Sequence, residues 1–170
     1  MKLRRHLAGA SFGALLTASL GIGSGSPAAA DTLIPNHRVT VSGTMTLNDD
    51  ESWPSSDEHG VYAISGSTWV SHSVPQRSIR IERCVGGEVR GVLYVDVQLY
   101  NTDQIRVSPT FYLYEGTSCS TNDLDGLRRG TPTFVSRGGW LRWGGLRASN
   151  TAERTPDDWG LASFTVTHVR

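Results

Sequence analysis

After its first thirty residues, this chain alternates apolar and polar positions almost throughout. In HRVTVSGTMTL, Val39, Val41, Met45 and Leu47 share one side and Thr40 and Thr46 the other. A period of two belongs to a strand with one face buried. The longest such stretch is GEVRGVLYVDVQLYN, where Val89, Leu93, Val95, Val97 and Leu99 oppose Arg90, Asp96 and Gln98. Ile79 and Ile81 alternate with Arg80 and Glu82. Phe111 and Leu113 alternate with Tyr112 and Tyr114, and Phe164 and Val166 lie within LASFTVTHV. VYAISGSTWV, TPTFVS and GWLRW are further strand candidates.

Clusters of Gly, Asn, Asp, Ser and Pro separate these runs, and no sustained helical period appears beyond the first thirty residues. Short strands at close spacing predict an all-β fold, an antiparallel β-sandwich of about eight strands, with a closed β-barrel as the alternative. Asn101-Thr102-Asp103 reads as the turn of a hairpin between 89–100 and 104–114.

The N-terminus follows a different pattern. Lys2, Arg4 and Arg5 precede an apolar, glycine-rich run from Leu7 to Gly23, and Ala28-Ala29-Ala30 stands just before Asp31. That order predicts a secretory signal peptide over 1–30, removed to leave one β-sandwich domain over 31–170. Arg4-Arg5 leaves twin-arginine export as an alternative to general secretion. With the leader gone no membrane span is expected, and the product is extracellular, either free or held at the cell wall.

Removing Lys2, Arg4 and Arg5 leaves 13 basic residues against 16 acidic ones, a formal net charge of −3. That balance offers no basic footprint for nucleic acid. Cys84 and Cys119 are the two cysteines, and an even count in an exported chain predicts one disulfide between them. The bridge would clasp the flanks of the 89–114 hairpin.

Catalytic signatures are absent: there is no G-x-S-x-G, no H-E-x-x-H and no phosphate loop. His37, His59, His72 and His168 are scattered, and each reads as a surface or strand-edge residue.

Acidic turns are the more suggestive chemistry. LNDDESWPSSDEHG carries Asp49, Asp50 and Asp57, STNDLDG carries Asp123 and Asp125, and ERTPDDWG carries Asp157 and Asp158. Calcium needs six to eight oxygen ligands, which such loops could supply together, although the spacing is not that of an EF-hand. Solvated turns of ordinary composition are the competing reading.

In SRGGWLRWGGLRAS, strand alternation puts Trp140 and Arg142 on one face and Leu141 and Trp143 on the other. One face can then be core while Trp140 and Arg142 contact a sugar ring or another flat ligand. Trp53 and Trp159, in the acidic stretches, are further candidate contacts.

These features together predict a secreted, non-catalytic binding module for an extracellular protein or glycan, with calcium at its acidic loops. A protein-docking module such as a protease inhibitor is the first alternative, and a small secreted hydrolase with an unrecognised site is the second.

Overall fold

The computed structural model describes residues 36–50, 56–101, 103–150 and 158–170. The expected leader, Trp53 and Asp157 lie outside the described residues. Nine strands follow one another: β1 (His37–Asp49), β2 (Glu58–Val70), β3 (Gln76–Val85), β4 (Val89–Leu99), β5 (Gln104–Tyr114), β6 (Leu124–Arg129), β7 (Thr133–Ser136), β8 (Trp140–Ser149) and β9 (Trp159–His168).

They form two antiparallel sheets. One has the order β2-β1-β9-β8; the other has the order β3-β4-β5-β6, with β7 also paired to β5. The sheets lie face to face over a shared core and do not close into a barrel. The β-sandwich is therefore the fold, and the barrel alternative is excluded.

Period-two patterning explains the packing. From the first sheet, Val39, Val41, Met45, Leu47, Ala162, Phe164 and Val166 point inward. They meet Ile79, Ile81, Leu93, Val95, Val97, Phe111 and Leu113 of the second. Burying side chains of this size contributes roughly 1.5–3 kcal/mol each relative to exposure, which drives the two sheets together.

The alternation breaks once inside β8. Trp143 pairs with Phe164 but Leu146 pairs with Ala162, so Gly144-Gly145 accommodates one extra residue, a β-bulge. That single insertion changes which parity faces the core. Trp143 before it and Leu146 and Ala148 after it all turn inward, while Trp140, Arg142 and Arg147 stay exposed.

The hairpin between β4 and β5 forms as expected, with Asp103 N–H donating to the Asn101 side chain at 2.9 Å. Cys84 and Cys119 are joined, their Cα atoms 5.9 Å apart. Arg90, expected to point to solvent, is buried instead. Its guanidinium donates to the Thr121 carbonyl and, at 3.2 Å, to Asn122, and it lies 4.6 Å from the Tyr114 ring. Disulfide and arginine together hold the segment after β5 against the outside of the second sheet.

His37 and His168 correct a second expectation. Neither is at the surface: both are buried and hydrogen-bonded to each other at 2.9 Å. His59 and His72 are exposed, as expected.

Candidate functional site

One end of the sandwich collects members of all three acidic stretches. β1 leaves its sheet at Asp49, beside the start of β9, because Asn48 pairs with Trp159. β8 ends there too, since Ser149 also pairs with Trp159. The Asp50 amide donates to Asp158 Oδ1 at 2.8 Å, and the Asn150 amide donates to the Asp158 carbonyl at 2.9 Å. From the other sheet comes Glu115, the residue just after β5. Its Oε2 accepts from Asn150 Nδ2 at 2.7 Å, and its own amide donates to Asp125 Oδ2 at 2.9 Å.

Glu115, absent from the sequence expectations, is the hub of this end. Burial raises its pKa to about 7 from an ordinary 4.5, helped by a hydrogen bond and repulsion from Asp158; Asn150 opposes the rise. Two carboxyl groups this close cannot both ionise without a penalty. Burial also raises Asp125, with the Glu115 amide acting against it.

Asp49 is buried at the same end, against the β3–β4 turn. Gly86 holds φ +65° there, and a Cβ on it would fall 1.6 Å from Asp49 Oδ2. Glycine is required on both counts.

The structure thus brings Asp125 and Asp158 to Glu115, while Asp50 reaches Asp158 through its backbone amide and has an exposed side chain. Asp123 contributes its backbone carbonyl to the Glu115 amide while its side chain is exposed, and Asp57 is exposed just before β2. Among the described residues, no group of three His, Cys, Asp or Glu is arranged to hold a metal ion. The available donors are hard oxygens, which suit calcium and not a thiophilic metal.

A second surface lies on the outside of the β2-β1-β9-β8 sheet. Trp140 is 68% exposed and Trp69 54%. Trp140 and Arg142 share this face, while Trp143 points inward and stacks on Phe164 at 5.4 Å between ring centres. Trp159 opens β9 instead of lying in a loop, and its ring sits 4.4 Å from the Arg147 guanidinium and 6.0 Å from His59. Arg38 lies 5.9 Å over Trp69.

Between these aromatics run rows of hydroxyls: Thr40 of β1 pairs with Ser67 of β2 and Thr167 of β9, and Ser42 pairs with Ser65 and Thr165. Alternation puts these side chains on the outer face, where all are exposed or half-buried.

No family model, curated protein or solved structure matches this chain.

Proposed function

We propose that this chain is an exported, non-catalytic binding module whose carboxyl-rich end takes up calcium. The observation that carries the reading is the Glu115–Asp158 pair, a carboxyl couple held between two sheets and raised to about 7 at Glu115. Above that pH the pair is a concentration of negative charge that a cation relieves. Glu115, Asp158 and the Asn150 side-chain oxygen would hold the ion. Because the described residues do not form a ready-made set of ligands, the affinity expected is that of a weak extracellular site, about 10⁻⁴–10⁻³ M.

Export is supported by the leader-like N-terminus and by the Cys84–Cys119 disulfide, a bond favoured in oxidising compartments. Among the described residues no helix is long and apolar enough to cross a membrane.

Thermal unfolding with millimolar calcium, with magnesium and with chelator tests the proposal at pH 5 and pH 8. Calcium should raise the melting temperature at pH 8, where Glu115 is ionised, and much less at pH 5, where protons compete. A hundredfold excess over Kd corresponds to about 2.7 kcal/mol of added stability. No difference between calcium and chelator at pH 8 would sink it.

A hydrolase is the second reading, favoured by a carboxyl near neutrality beside another carboxyl. It is the weaker one. Asp158 Oδ1 already accepts the Asp50 amide and Glu115 Oε2 the Asn150 side chain, so both carboxyls are committed to holding the loops together instead of facing an open substrate cleft. Glycan turnover that disappears in Glu115→Gln would reverse that preference.

A further inference from the structure

We propose that the outer face of the β2-β1-β9-β8 sheet binds an acidic polysaccharide, a glycan carrying carboxylate or sulfate groups. This surface is distinct from the Glu115–Asp158 pair, although its Trp159 end borders the carboxyl end, and it does not depend on calcium.

Three observations meet on that face. First, it carries three tryptophans, each with an arginine as neighbour. Arg38 lies over Trp69 and Arg147 over Trp159, while Arg142 is two residues along β8 from Trp140 and on the same side. Trp140 is 68% exposed, and among the described residues no ring or cation covers its indole. A large aromatic gains little stability from such a position, whereas an open indole face stacks well against the C–H side of a sugar ring.

Second, the strip between Trp140 and Trp69 is built of hydroxyls, giving way to Ala63, Val61 and Leu161 toward Trp159. The Thr40 and Ser42 rows present short donors and acceptors at strand spacing, roughly 4.8 Å across the sheet and 6.8 Å along it. Such groups complement sugar hydroxyls without demanding one fixed geometry. From Trp140 to the β2 edge the face is three strand spacings wide, roughly 14 Å, and from the Thr40 row to the Asn48 row it is eight residues long, roughly 27 Å. That length accommodates a chain of several sugars.

Third, the charge on this face has one sign. Its outward positions on the four strands include Arg38, Arg142 and Arg147 but no Asp or Glu. The sequence beyond residue 30 carries more acidic than basic residues, so a face lacking carboxylates departs from the average of the chain. Guanidinium groups pair with carboxylate or sulfate in a forked geometry, so the complementary glycan is an anionic one. Single-stranded nucleic acid also stacks on aromatics beside arginine. It is favoured by a continuous basic groove, though, and this surface is a flat sheet rich in hydroxyls.

The test uses the exported protein in chelator. Its retention by alginate, polygalacturonate, heparin, a neutral glucan and an oligo-dT strand is compared by affinity electrophoresis at low and at 0.5 M salt. At least one acidic polysaccharide should retard it, the retardation should collapse in high salt, and the neutral glucan should have little effect. Trp140→Ala and Arg142→Ala should each weaken binding about tenfold or more. Both positions are exposed, so unchanged melting temperatures will show that folding is intact.

Three results would overturn the proposal: no retardation by any acidic polysaccharide, retardation that Trp140→Ala and Arg142→Ala leave unchanged, or tighter binding to oligo-dT than to any glycan. Because calcium is absent throughout, the outcome is independent of the calcium site.

Discussion

Opposite pH dependences are built into the two ends of the sandwich by single residues. Glu115 titrates near 7 in the folded protein, well above its ordinary 4.5. The folded state therefore holds that proton more tightly than the unfolded chain does. Its contribution to stability is complete below about pH 4.5 and is lost as pH rises toward 7.

At the other end, burial lowers His37, with repulsion from His168, Arg137 and His72 adding to it and Asp103 opposing. Burial lowers His168 as well, against the hydrogen bond to Val135. The Val135 carbonyl can only accept, so His168 Nδ1 carries the proton in that 3.3 Å contact. His168 Nε2 must then accept from His37 Nδ1. That leaves the buried His37 Nε2, which has no partner among the described residues, as a bare acceptor. Protonating it would bury an unsatisfied charge. The histidine contribution is therefore present above the ordinary pKa of 6.5 and is lost as pH falls through the lowered folded values.

The two effects oppose each other between pH 5 and 7. Glu115→Gln removes one of them and keeps a hydrogen-bonding group toward Asn150 and Asp158. Its melting temperature should exceed that of the unaltered protein at pH 8, match it near pH 5, and rise more steeply between. Parallel curves for the two proteins would contradict this account.

At the scale of the elements, close strand approach and the β8 bulge make different demands on glycine. Gly43 sits in the middle of β1, paired with Ile64 on one side and Phe164 on the other. A Cβ there would lie 2.1 Å from the Ser163 carbonyl oxygen and 2.6 Å from the Phe164 Cα, and backbone cannot step aside as a side chain can. Gly144, in the bulge, has no atom within 4 Å of the same construction. Gly43→Ala should therefore cost about 3 kcal/mol or more through overpacking. Gly144→Ala should stay within about 0.5 kcal/mol. Urea unfolding of both variants checks the contrast, which fails if the two cost the same.

The same scale explains why one strand escaped the sequence pattern. β6 occupies part of what reads as an acidic turn. Its buried position is Gly126, whose hypothetical Cβ would meet the Ser149 carbonyl at 2.7 Å. With no side chain on its core-facing position, β6 leaves no apolar alternation to read. Asp125 is the extra residue of a register shift against Leu113 and Tyr114, which hides the period further.

For the whole molecule, the disulfide is the longest covalent constraint, spanning 35 residues between Cys84 and Cys119. It fastens the end of β3 to the segment that leaves Glu115 and returns as β6. In the chain-entropy account, closing such a loop contributes about 3–4 kcal/mol by restricting the unfolded chain. Replacing both cysteines with alanine should lower stability by that amount in denaturant unfolding. It should also blunt the calcium response at pH 8, because the segment carrying Glu115 would then be held mainly by Arg90. A variant with unchanged stability would show that packing alone secures this part of the fold.

The sequence by itself determined the architecture class, the strands with an apolar period, the β4–β5 hairpin, the cysteine pair and the opposite faces of Trp140 and Trp143. Each depends on local alternation or on counting, which survives without coordinates. Only the tertiary structure decided which charged groups meet. Glu115 stands alone among small and aromatic neighbours in sequence, yet it becomes the hub of the acidic end, because the sandwich brings the end of β5 beside the start of β9. His37 and His168 are 131 residues apart and look like isolated polar residues, but pairing of the first strand with the last buries them in contact. The Trp and Arg face likewise exists only once β2, β1, β9 and β8 are set side by side, since strand order is decided by long-range pairing and not by any local signal.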